Sequence, residues 1–198
     1  MASPTARPPG NTLVRVIELR PLVAGDVPLV AGWLREPHVA RWWLVGTTAE
    51  AELEQVRTRV AEPSVDATEL LMILERRGSE VESAARIGWC QWYPYDAYPA
   101  EAEAIGARAG DCGIDYAIGE PTAIGRGLGT ELIAALVREV RRHHPGCGVI
   151  VDPDAENVAS RRVLERNGFT LLAVQVVATE PTDAPVAIYR LSEAEHSA

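Results

Sequence analysis

The sequence predicts an α/β domain, a mixed sheet with helices packed on it. Short apolar runs of strand type recur along the whole chain. Segments of helical period separate them, giving the order β-α-α-β-β-β-α-β-α-β-β. A glycine-rich turn at residues 124–130 joins one of the strands directly to a helix.

Each element has its own signal. Residues 14–20 alternate as a strand does. Residues 26–35 carry Val27, Val30, Ala31 and Leu34 at helical spacing, and Glu36-Pro37 ends that run. Residues 47–61 form a second helix, with Thr47 or Thr48 to cap it, Glu50 and Glu52 in its first turn and Pro63 beyond its end. Residues 70–76 and 84–93 are strands joined by a polar turn around Gly78, and residues 94–110 read as a loop. Residues 112–118 are a strand. The helix after the glycine turn places Leu128, Leu132, Ile133, Leu136, Val137 and Val140 on one face and ends near His143 and His144. A short strand at 149–151 precedes a helix at 158–167, for which Gly168 is a suitable left-handed stop. Residues 170–179 and 185–191 close the chain as a hairpin around Pro181-Thr182-Asp183.

Composition narrows the function. At 198 residues and 47% hydrophobic content, the expectation is one domain over residues 13–192, between loose ends at 1–12 and 193–198. The first twelve residues hold three prolines and lack the apolar centre of a secretion signal. No run of 18 apolar residues offers a membrane span. Cys90, Cys112 and Cys147 form no C-x-x-C pair and fit a reducing, cytoplasmic setting. His38, His143, His144 and His196 lack metal-ligand spacing, so no metal is expected. A formal charge of −9 argues against nucleic acid as a partner and for either plain solubility or a cationic substrate. The expected assembly is a monomer or homodimer.

Ile124-Gly125-Arg126-Gly127-Leu128-Gly129-Thr130 is the segment richest in chemistry. Its glycines let the backbone bend sharply and approach a ligand closely. The first-turn amides of the helix have no carbonyl partner within it, and the helix dipole favours an anion there. The segment therefore suits a phosphate or diphosphate. A nucleoside-triphosphate loop needs a Lys after its last glycine, and none is present. A dinucleotide fingerprint needs G-x-G-x-x-G early in a βαβ unit, whereas this chain has G-x-G-x-G late. The plain alternative is a helix start whose glycines permit close packing.

The stretch resembles the acyl-CoA signature Gln/Arg-x-x-Gly-x-Gly/Ala of the GNAT N-acyltransferases. Gly127 and Gly129 occupy its small positions, and Ile124 stands where Gln or Arg is usual. A second run, Asn157-x-x-Ser160-x-Arg162-x-x-Glu165-x-Asn167-Gly168-Phe169, resembles the Asn…Gly-Phe element after that family's fifth strand. The resemblance spans roughly residues 14–191. It implies the GNAT fold, a mixed sheet with splayed fourth and fifth strands, and acetyl-CoA as cosubstrate. It implies that Gly125, Arg126, Gly127, Leu128, Gly129 and Thr130 hold the diphosphate and that Ile118 and its neighbours line the pantetheine and polarise the carbonyl. It implies that Asn157 reaches the pantetheine arm; an ordinary helix cap is the other reading of this residue. Many members carry a Tyr seven residues after that Asn. Leu164 stands there and cannot donate a proton, which leaves the general acid unassigned and a non-enzymatic CoA-binding sensor open.

Asp115 is the leading acid–base candidate. Strand alternation puts Ile114, Tyr116 and Ile118 on one face and Gly113, Asp115 and Ala117 on the other, where small neighbours leave room beside the carboxylate. An ammonium has to lose a proton before it attacks, and an aspartate of ordinary pKa near about 4 is a weak base. Burial or nearby acids would raise it; otherwise it works through water or only orients the amine. A solvated strand carboxylate is the plain alternative.

A narrower resemblance rests on Gly113-Ile114-Asp115, on the glycine turn and on Asp152-Pro153 before Asn157. It also rests on Trp33-Leu34, residues 38–43 and Gly88-Trp89-Cys90-Gln91-Trp92-Tyr93. Together these are similar to the aminoglycoside 6′-N-acetyltransferases. That implies acetylation of the 6′-amino group of an aminoglycoside, with Asp115 on the reacting sugar and Asp152 facing another ring. Gln91 and Trp43 would line the pocket, and Asp183 would be a further contact. Siderophore-pathway lysine N-acyltransferases and ribosomal-protein N-terminal acetyltransferases share much of this layout. For Trp42 and Trp43 core packing is the alternative, and Trp89 and Trp92 fall on opposite strand faces, so at most one lines a pocket. The acids agree with a polycation: Asp96, Glu101, Glu103, Asp111 and Asp115 precede the glycine turn, and Asp152, Asp154 and Glu156 follow the next strand. Both groups are expected to rim one end of the sheet. Each ammonium–carboxylate pair at about 4 Å attracts by roughly 1–4 kcal/mol before desolvation, so several would select a polycation over a monoamine.

Overall fold

The computed structural model describes residues 15–78, 84–179 and 182–193. The expected tail at 1–12, Val14 at the head of the first strand, the centre of the polar turn after Gly78, Pro181 at the hairpin tip, His196 and residues 194–198 lie outside them.

The chain forms β1 (Arg15–Pro21), α1 (Val27–Trp33), α2 (Pro37–Trp43), α3 (Ala49–Ala61), β2 (Glu69–Arg77) and β3 (Ala85–Pro94). It continues with α4 (Pro99–Ile105), β4 (Cys112–Ile118), α5 (Leu128–His143), β5 (Val149–Val151), α6 (Val158–Arg166), β6 (Thr170–Gln175) and β7 (Val186–Leu191). Two of these helices depart from the sequence expectation. Pro37 does not merely end α1; it is the first residue of α2, where its missing N–H costs nothing and its fixed φ suits a helix start. The expected loop 94–110 contains α4, which likewise begins on a proline, Pro99. Helices of seven residues that start on proline carry too little periodicity to be legible in sequence. The strand expected to reach residue 179 ends at Gln175.

The seven strands form one sheet in the order β1-β2-β3-β4-β5-β7-β6. Only β4 and β5 run parallel, and they pair at just two positions, Cys112 with Val149 and Gly113 with Ile150. Beyond Gly113, β4 continues along β3 as far as Ile118 while its other edge loses its neighbour. The parting of these strands is the expected splay.

Alternation along the strands fills two cores. Leu71 and Ile73 of β2 and Ile114 of β4 face Leu128, Leu132, Ile133, Leu136 and Val140 of α5 and Leu164 of α6. Leu70 and Met72 join Trp89, Trp33, Val30, Leu53 and Val56 under α1, α2 and α3. A strand covered on both faces loses polar alternation, which explains the continuous apolar run of β2. A third cluster seats α4: Tyr95 and Ile105 pack on Ile150, Val186 and Ile188. Local signals fix the ends. Thr48 Oγ1 accepts from the Ala51 amide at 3.1 Å, choosing Thr48 over Thr47 as the cap. Gly168 has φ of 82° after α6, as expected. Under the splay, the Arg190 guanidinium donates to both oxygens of buried Asp111, at 3.2 and 2.7 Å, locking β7 to the start of β4. Among the described residues no helix is long and apolar enough to cross a membrane.

Candidate active site

The splay opens a cleft of about 850 Å³. Its floor is β4, from Ile114 to Ile118. One end is walled by Gly125, Gly127, Leu128 and Gly129 and by Asn157, Ser160, Arg162, Val163 and Arg166. The other is walled by α2, α4 and the segment after β5, with Trp42, Trp43, Tyr93, Tyr95, Glu101, Asp152 and Asp154.

The glycine end presents backbone. Gly125 and Gly127 have φ of 72° and 75°, a region that L side chains avoid, and a Cβ at either would point into open space. Among the described residues, no carbonyl or side chain accepts from the amides of Gly125, Arg126 and Gly127. The first-turn amides of α5 follow them without intrahelical partners. This cluster of free N–H groups at a helix start fits a diphosphate. Gly129 has a different duty: a Cβ there would come within 2.9 Å of Val163 Cγ2, so this glycine lets α5 approach α6. Arg126 and Thr130 do not line the cleft. The Arg126 guanidinium turns away to buried Glu75, and its carbonyl accepts from Arg15 at 2.9 Å. Arg15 also binds Glu131 of α5, so β1 and β2 brace the turn from behind.

At the other end, Asp115 is half-buried and accepts from Gln91 Nε2 at 2.8 Å, its cross-strand partner. Burial pushes its pKa up; the hydrogen bonds from Gln91 and from the Tyr93 hydroxyl oppose this only in part. The carboxylate is thus a stronger base than an exposed aspartate. The room beside it is already used, because a Cβ on Gly113 would lie 2.4 Å from the Tyr93 ring, which occupies that space. Gln91 stands behind Asp115 and does not line the cleft. Trp43 does, while its ring packs at 4.7 Å on Trp89 and its Nε1 donates to Glu52 at 3.1 Å. It is a core and a wall residue together. Trp89 and Trp92 are both buried in the cores, so neither reaches the cleft.

The acidic rim is smaller than expected. Glu101, Asp115, Asp152 and Asp154 line the cleft. Asp111 is consumed by Arg190, exposed Asp96 accepts from the Gly110 amide at 3.1 Å, and Glu156 is exposed within 3.6 Å of Arg41. Glu103 lies outside the cleft. So does Asp183, which is exposed, although its neighbours Thr182 and Ala184 line the wall.

Asn157 caps α6, its Oδ1 accepting from the Ser160 amide at 3.1 Å, and it also lines the cleft. Ile118 lines the floor, and its carbonyl is 3.1 Å from His38 Nε2 of α2. Nothing local to residue 38 announces a partner 80 positions away. Leu164 is fully buried beneath α6. Among the described residues no group of three or more His, Cys, Asp or Glu is placed to hold a metal ion.

Comparison with known proteins agrees with this geometry. The chain is 29% identical over 159 residues to an aminoglycoside N(6′)-acetyltransferase type 1 of Klebsiella pneumoniae, covering 77% of this chain and 73% of that one. It is 26% identical over 192 residues to the lysine N-acyltransferase MbtK of Mycobacterium tuberculosis, covering 94% and 82%. The crystal structure of an aminoglycoside acetyltransferase, AAC(6′)-Ib, in complex with coenzyme A and kanamycin superposes with a TM-score of 0.65 at 22% identity, over 89% of this chain and 94% of that one. The family model described as an acetyltransferase (GNAT) domain matches residues 23–176, well over half of the sequence. With the parted β4 and β5 and the amide-lined turn between them and α6, that match places the chain in the GNAT acetyltransferase family.

Proposed function

We propose that the protein transfers an acetyl group from acetyl-CoA to a primary amine of a polycationic small molecule, the 6′-amino group of an aminoglycoside being the first candidate. One observation carries this reading: a single cleft has free backbone amides at one end and four carboxylates, Glu101, Asp115, Asp152 and Asp154, at the other. An anionic thioester and a cationic acceptor would meet at the unpaired edge of β4. The kinship with aminoglycoside acetyltransferases supports the acceptor class.

Bound acetyl-CoA would supply an activated acyl carbon. The amides of Gly125, Gly127, Leu128 and Gly129 hold the diphosphate, and Arg162 and Arg166 add positive charge on the same side. Asn157 and the free edge of β4 guide the pantetheine arm toward Asp115. Asp115 accepts a proton from the acceptor ammonium, directly or through water, and its raised pKa suits it to that task. Asp152, Asp154 and Glu101 hold the remaining ammonium groups, and Trp43 walls the sugar. Positioning of this kind is worth as much as about 7–11 kcal/mol in favourable intramolecular models.

A lysine N-acyltransferase is the second reading, favoured by the match to MbtK over nearly the whole chain. Free-thiol release from acetyl-CoA with kanamycin, tobramycin, lysine and a short peptide tests both. Release with the aminoglycosides and not with lysine is expected. Release with lysine alone would replace the first reading by the second, and CoA binding without release to any amine would make the protein a sensor.

A further inference from the structure

The Tyr116 hydroxyl lies 2.6 Å from Ser160 Oγ, and both residues line the cleft. Tyr116 sits on β4 beside Asp115 in sequence. Alternation turns its side chain to the opposite face, where its ring packs with α5 and α6. Ser160 faces it from α6, one turn beyond the cap residue Asn157. With CoA on the amide-lined turn, the pair would stand on the thioester's side of the strand and Asp115 on the amine's side.

The leaving sulfur needs a partner there. When the carbon–sulfur bond breaks, its electron pair collects on sulfur near the apolar side chains of Leu128, Leu132 and Val163, where a bare anion is costly. Two hydroxyls that share one hydrogen bond spend one proton on each other and keep the second for something else. Among the described residues on the α5–α6 side of the cleft, Tyr116 and Ser160 are the hydroxyls that line it; Leu164 is sealed in the core.

We propose that Tyr116, aligned by Ser160, donates a hydrogen bond to the departing thiolate and so stabilises it as the amide forms. The assignment rests on the reading of this cleft as an acetyl-CoA site. In the step, the neutral amine, whose first proton has gone to Asp115, bonds through nitrogen to the acyl carbon and gives up its second proton to water. The carbon–sulfur bond breaks with both electrons going to sulfur. Tyr116 keeps its proton: burial pushes its pKa up to about 12, well above a thiol near about 8.5, so the proton that completes free CoA comes from water on release.

The test is the titration of the CoA thiol bound to wild type, Tyr116→Phe and Ser160→Ala, read by thiolate absorbance, with desulfo-CoA as the binding control. The bound thiol should ionise about one pH unit lower in wild type than in Tyr116→Phe, a tenfold preference for thiolate, with Ser160→Ala in between. Desulfo-CoA affinity should be equal in all three proteins. In turnover, Tyr116→Phe should lose about 10- to 100-fold in kcat with KM for acetyl-CoA unchanged. Identical thiol titration in wild type and Tyr116→Phe overturns the proposal, as does a loss of CoA and desulfo-CoA affinity in parallel with a fall in Tm, which would make the pair a structural tie between β4 and α6. Absence of amine acetylation by wild type would defeat the functional reading, yet the titration would still decide this one.

Discussion

At one end of the cleft a run of consecutive backbone, from Gly125 to Gly129, faces α6, whereas the carboxylate end is gathered from β4, α2, α4 and the turn after β5. On the proposed function the first half would bind through main-chain amides and depend little on side chains; the Arg126 guanidinium turns away to Glu75. On the same reading the second would bind through side chains, two of which are held from behind: Asp115 by Gln91 and Trp43 by Glu52. Substitutions should therefore separate cleanly into those that alter the donor and those that alter the acceptor.

The largest separation is expected at Asp115. Asp115→Asn should lower kcat by about 100-fold or more while CoA affinity by calorimetry stays unchanged. The same variant should have a higher Tm at neutral pH. A carboxyl whose pKa rises on folding adds stability only at low pH and loses it as pH climbs, so removing its charge relieves that cost. Near-normal turnover would remove Asp115 from the base role.

Gly127→Val probes the donor half. A branched residue at φ of 75° costs about 1–2 kcal/mol and disturbs the amides, so CoA should bind about tenfold more weakly, with KM for the amine little changed. Unchanged CoA affinity would count against the turn as the diphosphate site. Gly129→Val is a different experiment, because its added carbon meets Val163 and should reduce Tm first.

Glu101→Gln combined with Asp152→Asn should reduce kcat/KM for kanamycin by roughly tenfold, about 1.4 kcal/mol, and leave a monoamine within twofold. Raising salt should mimic the loss for kanamycin alone. Gln91→Leu should act more gently: without its hydrogen bond the Asp115 carboxylate is harder to ionise, so the acid limb of the pH–rate profile moves to higher pH.

The smallest effect belongs to neither half. Asp26, held by Arg20 at 2.6 Å and by the Val23 amide and Arg86, has its pKa lowered to about 2. Its stabilisation, about 2 kcal/mol, is present above the unfolded carboxyl's pKa and is lost as pH falls toward 2. Asp26→Asn should flatten the dependence of Tm on pH between about 4 and 2 without altering turnover at neutral pH.

What the sequence disclosed follows the same division. The turn, the helix after it and the strand at residues 149–151 could be read because their signals are contiguous: glycine spacing, a helical apolar face, a cap followed by a stop. Asp115 stood out through alternation along one strand. The brace of Arg15, Glu75 and Glu131 behind the turn, the contact of His38 with the Ile118 carbonyl and the Tyr116–Ser160 pair join segments distant along the chain, and no local pattern encodes them. Asp111 and Asp183 show the converse limit. Both are acids near the cleft, yet one is spent on Arg190 and the other is exposed outside the lining.

The most direct measurement is kcat/KM for thiol release from acetyl-CoA with acceptors of increasing charge, from a monoamine through diamines to kanamycin, at fixed ionic strength. Efficiency should climb with each added ammonium group while KM for acetyl-CoA holds constant. A flat series, or one that favours the monoamine, would contradict the assignment of the carboxylate half to a polycation.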